Sequence, residues 1–223
     1  MVEVGAGYGE WVVRAFRALQ RHHQHQLPFR AVAVEADPVH FNWMRLNFAD
    51  NGLPPAESQL IHAAVTDKPG DLFLVVGSPE GHDAPNQWYG QAVSWADDVA
   101  GDGGDYGGFK AIRHANGWRS IRVPAITLAD AIKDLDRIDF LHLDIQGQEL
   151  AALSSSIEQV GRTTRRVHVD THSREIDQGL YDLLSHHGWE CIRRYGWRSS
   201  HDTPHGTIQF QDGIQGWTNP RLG

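Results

Sequence analysis

A glycine-rich turn that directly follows a short apolar run constrains the fold more than any other feature of this chain. The run covers residues 1–4, and Gly5, Gly7 and Gly9 follow it at alternate positions. Residues 10–24 then carry apolar side chains at helical spacing. A strand, a glycine turn and a helix in this order open a βαβ unit, in which the amide groups at the helix start can hold an anionic ligand. A turn without a ligand is the alternative interpretation.

Short apolar runs alternate with amphipathic stretches along the rest of the chain. The runs have the length of buried strands, and the stretches between them have the apolar spacing of helices. This alternation predicts one α/β domain over residues 1–223, Rossmann-like, with a seven-stranded, mostly parallel sheet and helices on both faces. Eight runs are candidates for these strands, at residues 1–4, 31–34, 59–65, 71–76, 138–144, 166–170, 190–195 and 207–211, and the last two could form a hairpin. The run at 71–76 follows a Pro-Gly turn and is expected to be antiparallel.

Residues 78–118 interrupt this alternation and are rich in Gly and Asp. Between residues 78 and 109 there are acidic side chains but no Lys or Arg. The aromatic residues in this part are Trp88, Tyr89, Trp95, Tyr106 and Phe109. Because flexible linkers lack such aromatics, we predict an irregular insertion that forms a lid over a substrate with a sugar ring or a planar ring. A disordered insertion is the alternative.

Composition restricts the class of partner. The formal net charge is −8, which argues against a nucleic-acid-binding protein. There is a single cysteine, and no apolar run is long enough to span a membrane. These features predict a soluble, cytoplasmic protein. Because the chain begins almost inside its first strand, we also expect the natural protein or its relatives to extend further at the N-terminus.

Two acidic residues occupy the ends of predicted strands, where ligands bind in open α/β sheets. Glu35 ends the second strand and could accept hydrogen bonds from a ribose diol. Its alternative role is to cap the next helix together with Asp37. Asp144 ends a central strand and could either line the site or cap the following helix.

A pattern of alternating polar side chains follows in the next strand. His168, Asp170 and His172 share one strand face, which would be unfavourable unless they meet a cavity or a metal ion. The His-x-Asp spacing is also that of facial-triad iron sites, but those sites belong to a different, all-β architecture.

Several of these segments together resemble the FkbM-type family of S-adenosylmethionine-dependent methyltransferases. The similar segments are residues 2–9, 34–51, 64–71, 126–130 and 143–149, and they occur in the family's order. The sequence departs from the family's usual Asp, Asn and Glu at Glu3, Gly7 and Gln146.

The resemblance implies S-adenosyl-L-methionine as the cofactor and methyl transfer to an oxygen. It implies that the cofactor is held by residues of the glycine turn and of the next strand ends, which are Glu3, Gly5, Ala6, Gly7, Gly9, Glu35, Ala36, Ala64 and Asp144. The acceptor is expected to be a small hydroxylated molecule such as a sugar, glycoside, macrolide or polyphenol. A nicotinamide-dependent oxidoreductase is one alternative, although its longer Gly-x-Gly-x-x-Gly spacing is absent. A non-catalytic cofactor-binding domain is the other.

Removal of the hydroxyl proton from the acceptor has two candidate routes. His172 or His142 could act as a general base, since the pKa of imidazole is near neutral pH. Alternatively, Asp144 and Asp170 could hold Mg²⁺ or Mn²⁺, which would acidify the hydroxyl group. The candidate catalytic residues are therefore Asp144, His172 and His142, and the candidate metal ligands are Asp144 and Asp170.

Overall fold

The fold is seen in a computed structural model that describes residues 1–23, 28–77, 92–94 and 98–223. In chain order the described strands are β1 (Val2–Val4), β2 (Ala31–Glu35), β3 (Ser58–His62), β4 (Ala64–Thr66), β5 (Gly70–Gly77), β6 (Val93–Ser94), β7 (Val99–Tyr106), β8 (Phe109–His114), β9 (Arg119–Thr127), β10 (Leu141–Leu143), β11 (Arg166–Thr171), β12 (Glu190–Tyr195), β13 (Ser200–Thr203), β14 (Gly206–Gln209) and β15 (Gly213–Thr218). The described α-helices are α1 (Glu10–His23), α2 (Pro38–Asp50), α3 (Leu128–Ile132), α4 (Glu149–Thr163) and α5 (Arg174–His186).

The first strand lies at the centre of a seven-stranded sheet with the order β12-β15-β11-β10-β1-β2-β3. In this sheet β15 runs opposite to the other six strands. The chain leaves β1 towards β2 and later returns to β10 on the other side of β1. This reversal of direction creates a crevice at the carboxyl ends of β1, β2 and β10, where ligands bind in open α/β sheets. The predicted seven-stranded, mostly parallel sheet is confirmed.

Helices cover both faces of the sheet, as predicted. On one face, α3, α4 and α5 pack on the apolar side chains of the central strands, including Val4, Leu143 and Val169. On the other face, α1 and α2 bury Phe16 and Met44 against β2. Burial of these side chains anchors the loops that lie above the carboxyl ends of the strands.

The predicted strand at 59–65 is divided in two. Its first part, β3, belongs to the seven-stranded sheet, whereas β4 pairs with β9 in a second sheet. This second sheet has six strands, β4 to β9, and β5 is antiparallel to β9, as expected for the run at 71–76. The site is therefore flanked by a second layer of strands that begins directly after Ala63.

The segment predicted to be irregular contains regular structure in its described part. Strands β7 and β8 form an antiparallel hairpin whose turn is Gly107-Gly108, with φ values of +59° and +85°. The register of β7 shifts twice, and its side chains are mostly exposed, so the sequence lacks the apolar alternation of a half-buried strand. The proposed lid residues Trp88, Tyr89 and Trp95 lie outside the described residues.

The C-terminal strands also differ from the prediction. The strand between β11 and β12 is β15, which is not among the strands predicted from the sequence. The predicted run at 207–211 lies partly in β14, which pairs with β13 as a separate hairpin. Two glycines and the fully buried Gln215 hide the apolar alternation of β15.

None of the helices in the described part of the chain combines the length and the apolar character that crossing a bilayer requires.

Candidate active site

The glycine turn between β1 and α1 forms the floor of the crevice. Gly5 and Gly7 have positive φ values of +72° and +54°, a conformation that strongly favours glycine. A Cβ atom on Gly5 would lie 1.7 Å from the carbonyl oxygen of Asp144, so only glycine fits there. Nothing lies within 4 Å of the corresponding position on Gly7. The turn thus passes directly beside the end of β10 and leaves open space above Gly7.

Glu35 holds this turn in place from the end of β2. Its Oε2 accepts a hydrogen bond from the amide of Gly7 at 2.6 Å, and its Oε1 accepts one from the amide of Asp37 at 2.7 Å. Burial raises the pKa of Glu35 to about 7, against the lowering effect of these two hydrogen bonds. The helix cap is Asp37, whose carboxylate accepts from the amides of Val39 and His40 at the start of α2.

A cleft that is open to solvent extends from the glycine turn to the start of the second sheet. We call it the inner cleft. It contains six of the predicted cofactor-binding residues, which are Gly5, Gly7, Glu35, Ala36, Ala64 and Asp144. Other lining residues were not identified from the sequence, including Tyr8, His40, Leu74 and Gln146. His40 could have been found, because it lies in the first turn of the helix that follows the Glu35 strand end.

A second cleft lies on the other side of the glycine turn, and we call it the outer cleft. Its lining includes the predicted catalytic and metal-binding residues, which are His142, Asp144, Asp170 and His172. The two clefts share Gly5, Gly7, Tyr8, Asp144 and Gln146. Asp144 therefore lies at the junction of the two clefts.

Glu3 and Gly9 position α1 and lie away from the inner cleft. The buried carboxylate of Glu3 accepts hydrogen bonds from the amides of Trp11 and Val12, at 3.2 and 2.9 Å. Burial raises its pKa to about 7, although these amides lower it. Two amides at the start of α1, where the sequence predicted an anionic ligand, are thus occupied by Glu3. Gly9 faces Phe48 on α2, where a Cβ atom would approach to 2.3 Å.

Ala6 connects the turn to β2. Its amide donates to the carbonyl oxygen of Val34 at 3.0 Å, and the residue lines the outer cleft only.

Glu149 organises the junction and is not among the site residues predicted from the sequence. Its side chain is fully buried and accepts hydrogen bonds from the amides of Ile145 and Gly147 at 3.0 to 3.2 Å. Oε1 of Glu149 also lies 2.8 Å from Nδ1 of His172, and Nε2 of His172 lies 3.3 Å from Oδ1 of Asp144. His172 is therefore held between two carboxylates.

The pKa of His172 reflects these contacts. Burial lowers it, but hydrogen bonds and charge interactions with Asp144 and Glu149 together outweigh burial and raise the pKa to about 10. The imidazole is thus a cation at neutral pH, with both nitrogens engaged. Gln146 adds a hydrogen bond to Asp144 at 3.2 Å and has a positive φ of +51°, which is rare for a residue other than glycine.

The two predicted metal ligands lie in separate clusters. Asp144 groups with Glu149 and His172, whereas Asp170 groups with His142 and His168. Nε2 of His142 lies 3.2 Å from Oδ2 of Asp170. Asp144 and Asp170 therefore belong to different groups of side chains, and each of them lies beside at least one imidazole.

Comparison with known proteins adds independent information. Residues 3–191 match the family model described as the methyltransferase FkbM domain. A curated protein of Jannaschia sp. (strain CCS1), named "Putative methyltransferase", is 25% identical over 190 residues, which are 85% of this chain and 61% of that protein. The crystal structure of methyltransferase FkbM from Methylobacillus flagellatus KT superposes with a TM-score of 0.55 at 13% identity, covering 96% of this chain and 42% of that one. The chain thus spans about three fifths of the curated relative, and the structural likeness supports the fold.

Proposed function

The chain belongs to the FkbM methyltransferase family, and on that premise we propose that it transfers a methyl group from S-adenosyl-L-methionine to a hydroxyl oxygen of a small molecule. The observation that carries this proposal is the junction of two clefts at Gly5, Gly7 and Asp144. A transferase needs one site for the donor and one for the acceptor, with the reacting atoms in line between them. The inner and outer clefts supply such an arrangement.

The residues of the inner cleft fit the proposed cofactor. Gly5 permits close approach to the end of β10, and Ala36 and Ala64 leave apolar walls for a flat purine ring. Glu35 lines the same cleft, and each of its oxygens retains a lone pair for a ribose hydroxyl after accepting one amide. When bound, S-adenosyl-L-methionine supplies an electrophilic methyl group on a positively charged sulfur.

The charge of the lining also suits this cofactor. The described residues that line the two clefts include Glu35, Asp144 and Asp170 but no Lys or Arg. Such a lining attracts the sulfonium and ammonium groups of the cofactor and disfavours phosphate-rich acceptors. We therefore propose a neutral or amino-bearing small molecule as the acceptor, and a nucleic acid is disfavoured on the same ground.

Asp144 is the residue that we propose to contact the acceptor hydroxyl. In the described structure its Oδ1 is held by His172 and Gln146, while its Oδ2 has no such partner. Oδ2 can therefore accept the hydroxyl hydrogen as the oxygen attacks the methyl group. His172, the alternative base, is already protonated, and we propose that it positions the Asp144 carboxylate. His142 is buried beneath the outer cleft and is not proposed as the base.

Calorimetry and turnover assays test this function. We expect purified protein to bind S-adenosyl-L-methionine and its demethylated product, S-adenosylhomocysteine, and to show no affinity for NAD. With a panel of hydroxylated sugars, glycosides and polyphenols, we expect methylated product with at least one acceptor. Binding without turnover on any acceptor would support a non-catalytic cofactor-binding domain, and binding of NAD alone would support an oxidoreductase.

A further inference from the structure

Three polar side chains converge on the sheet face that lies below α1. His142 on β10 and His168 on β11 are directly opposite in the parallel register, and Asp170 follows two residues along β11. Since residues two apart on a strand share a face, all three point the same way. Their potential ligand atoms lie within 4.8 Å of one another. We propose that His142, His168 and Asp170 bind a divalent transition-metal ion.

The unpartnered state of His142 is the strongest evidence for this site. The residue is only 2% exposed, and within the described part of the chain neither ring nitrogen has a hydrogen-bond partner. Buried polar atoms are nearly always paired, because an unpaired one loses its hydration without compensation. Nε2 lies 3.2 Å from Oδ2 of Asp170 but is not aligned for a hydrogen bond. A cation between these two atoms would pair both of them.

The spacing of the side chains agrees with this interpretation. Two nitrogen or oxygen ligands of a tetrahedral Zn²⁺ ion, each at about 2.1 Å from the metal, lie about 3.4 Å apart. The 3.2 Å separation of His142 Nε2 and Asp170 Oδ2 is close to that value. The other distances between ligand atoms in the cluster are at most 4.8 Å.

Carboxyl groups lie around these side chains, and an aromatic ring restricts the two imidazoles. Glu3 lies opposite His142 across β1 and β10, and the charge of Asp144 also acts on His168. Arg193 on β12 adds one positive charge near His168, and its effect on the pKa of His168 is opposite to that of the carboxylates. The indole of Trp11 packs on both imidazoles, with ring centres 5.5 Å from His142 and 6.5 Å from His168. This packing limits rotation of the rings.

The ligand set indicates the class of metal. Two imidazoles and one carboxylate favour Zn²⁺, Fe²⁺ or Co²⁺ over Mg²⁺, which prefers oxygen ligands. Three protein ligands leave at least one coordination position open. Because His142 and Asp170 line the outer cleft, a water molecule or a hydroxyl group could occupy that position. The site goes beyond the proposed methyl transfer and does not depend on it.

The neighbouring cluster provides an internal comparison. Asp144, Glu149 and His172 are equally close to one another. However, Glu149 accepts from two amides and from His172, and both nitrogens of His172 are engaged. A metal ion there would have to displace existing hydrogen bonds, so we assign no metal to this cluster.

The test is titration of metal-depleted full-length protein with Co²⁺ and with Zn²⁺. We expect one Co²⁺ per chain with a visible absorption band, displacement of that band by Zn²⁺, and a rise in melting temperature with either ion. His168→Ala and Asp170→Asn should each weaken binding at least about 100-fold, because loss of even an outer-shell partner typically weakens binding about 10- to 100-fold. Asp170 is partly exposed, so Asp170→Asn remains decisive if a histidine variant fails to fold.

Matched controls address the other histidines of this His-rich chain. One variant replaces the exposed His186 and the half-buried His187 with Gln, and a second replaces the histidines of the tract at 22–25. We expect both controls to retain the full Co²⁺ band. The proposal is overturned if wild-type protein gives no band. It is equally overturned if the band survives Asp170→Asn unchanged or disappears in either control.

Discussion

Substitution of Glu149 by Gln tests the role of the buried cluster at the junction of the clefts. Glu149 is fully buried and pairs with His172 at 2.8 Å. Removing one partner of a buried ion pair typically costs about 3–5 kcal/mol, and in this variant Asp144, at 3.3 Å, remains as the second carboxylate beside His172. For a domain of this size, about 1 kcal/mol shifts the melting temperature by roughly 2–4 °C, so we expect Glu149→Gln to melt about 6–20 °C below wild type at pH 7.

The pH dependence provides the sharper test. The folded-state pKa of His172 is about 10, above the ordinary value of 6.5. A group with a raised folded-state pKa stabilises the fold fully below its unfolded pKa and loses that contribution as pH rises through its folded pKa. Wild type should therefore lose up to about 5 kcal/mol of stability between pH 6.5 and 10, because each pH unit between the unfolded and folded pKa values corresponds to roughly 1.4 kcal/mol. Glu149→Gln should show a flatter profile over this window.

Urea unfolding at pH 6.5, 8 and 9.5 measures both effects. Glu158→Gln, at an exposed position of the same helix, is the matched control and should change the free energy of unfolding by less than about 0.5 kcal/mol. The reasoning is refuted if Glu149→Gln loses less than about 1 kcal/mol at pH 6.5, or if its deficit is the same at all three pH values.

Four other substitutions probe the clefts. Gly5→Ala places a Cβ atom 1.7 Å from the Asp144 carbonyl oxygen and should abolish S-adenosylhomocysteine binding in calorimetry. The new Cβ atom of Gly7→Ala has open space around it, so this variant should cost only about 1–2 kcal/mol of backbone strain. Equal effects of the two substitutions on binding would contradict this reasoning. Glu35 has a folded-state pKa of about 7, above its ordinary 4.5, so its contribution to stability is full below pH 4.5 and falls by about 3 kcal/mol as pH rises to 7. Glu35→Gln should remove this decline in urea unfolding, and an unchanged profile would argue against it. Asp144→Asn should lower kcat with little change in the KM for the cofactor, and unchanged kcat would exclude Asp144 from the reaction.

The sequence predicts that several residues of the inner cleft lie together, because their signals are local. Gly5, Gly7 and Glu35 lie at the ends of short strands, and strand ends meet at one edge of a parallel sheet. Predicted residues of this kind do line the inner cleft. Gly9 belongs to the same motif but packs against α2, which only the position of Phe48 reveals.

Contacts between distant residues could not be predicted in this way. Glu149 is a buried acid whose partner, His172, is 23 residues away in the sequence. The sequence alone indicates only an acidic residue in the first turn of a helix, which is a common position for Glu. The β7–β8 hairpin was missed because exposed glycines replace its apolar alternation. The Gly107-Gly108 pair between two aromatic residues was the available signal, since such pairs favour hairpin turns.

A crystal structure of the protein bound to S-adenosylhomocysteine tests the account most directly. We predict electron density in the inner cleft, with the ribose hydroxyls on Glu35, the purine between Ala36 and Ala64, and the sulfur directed at Asp144. Density in another part of the molecule, or no binding at saturating ligand, would contradict the two-cleft arrangement on which the proposed methyl transfer rests.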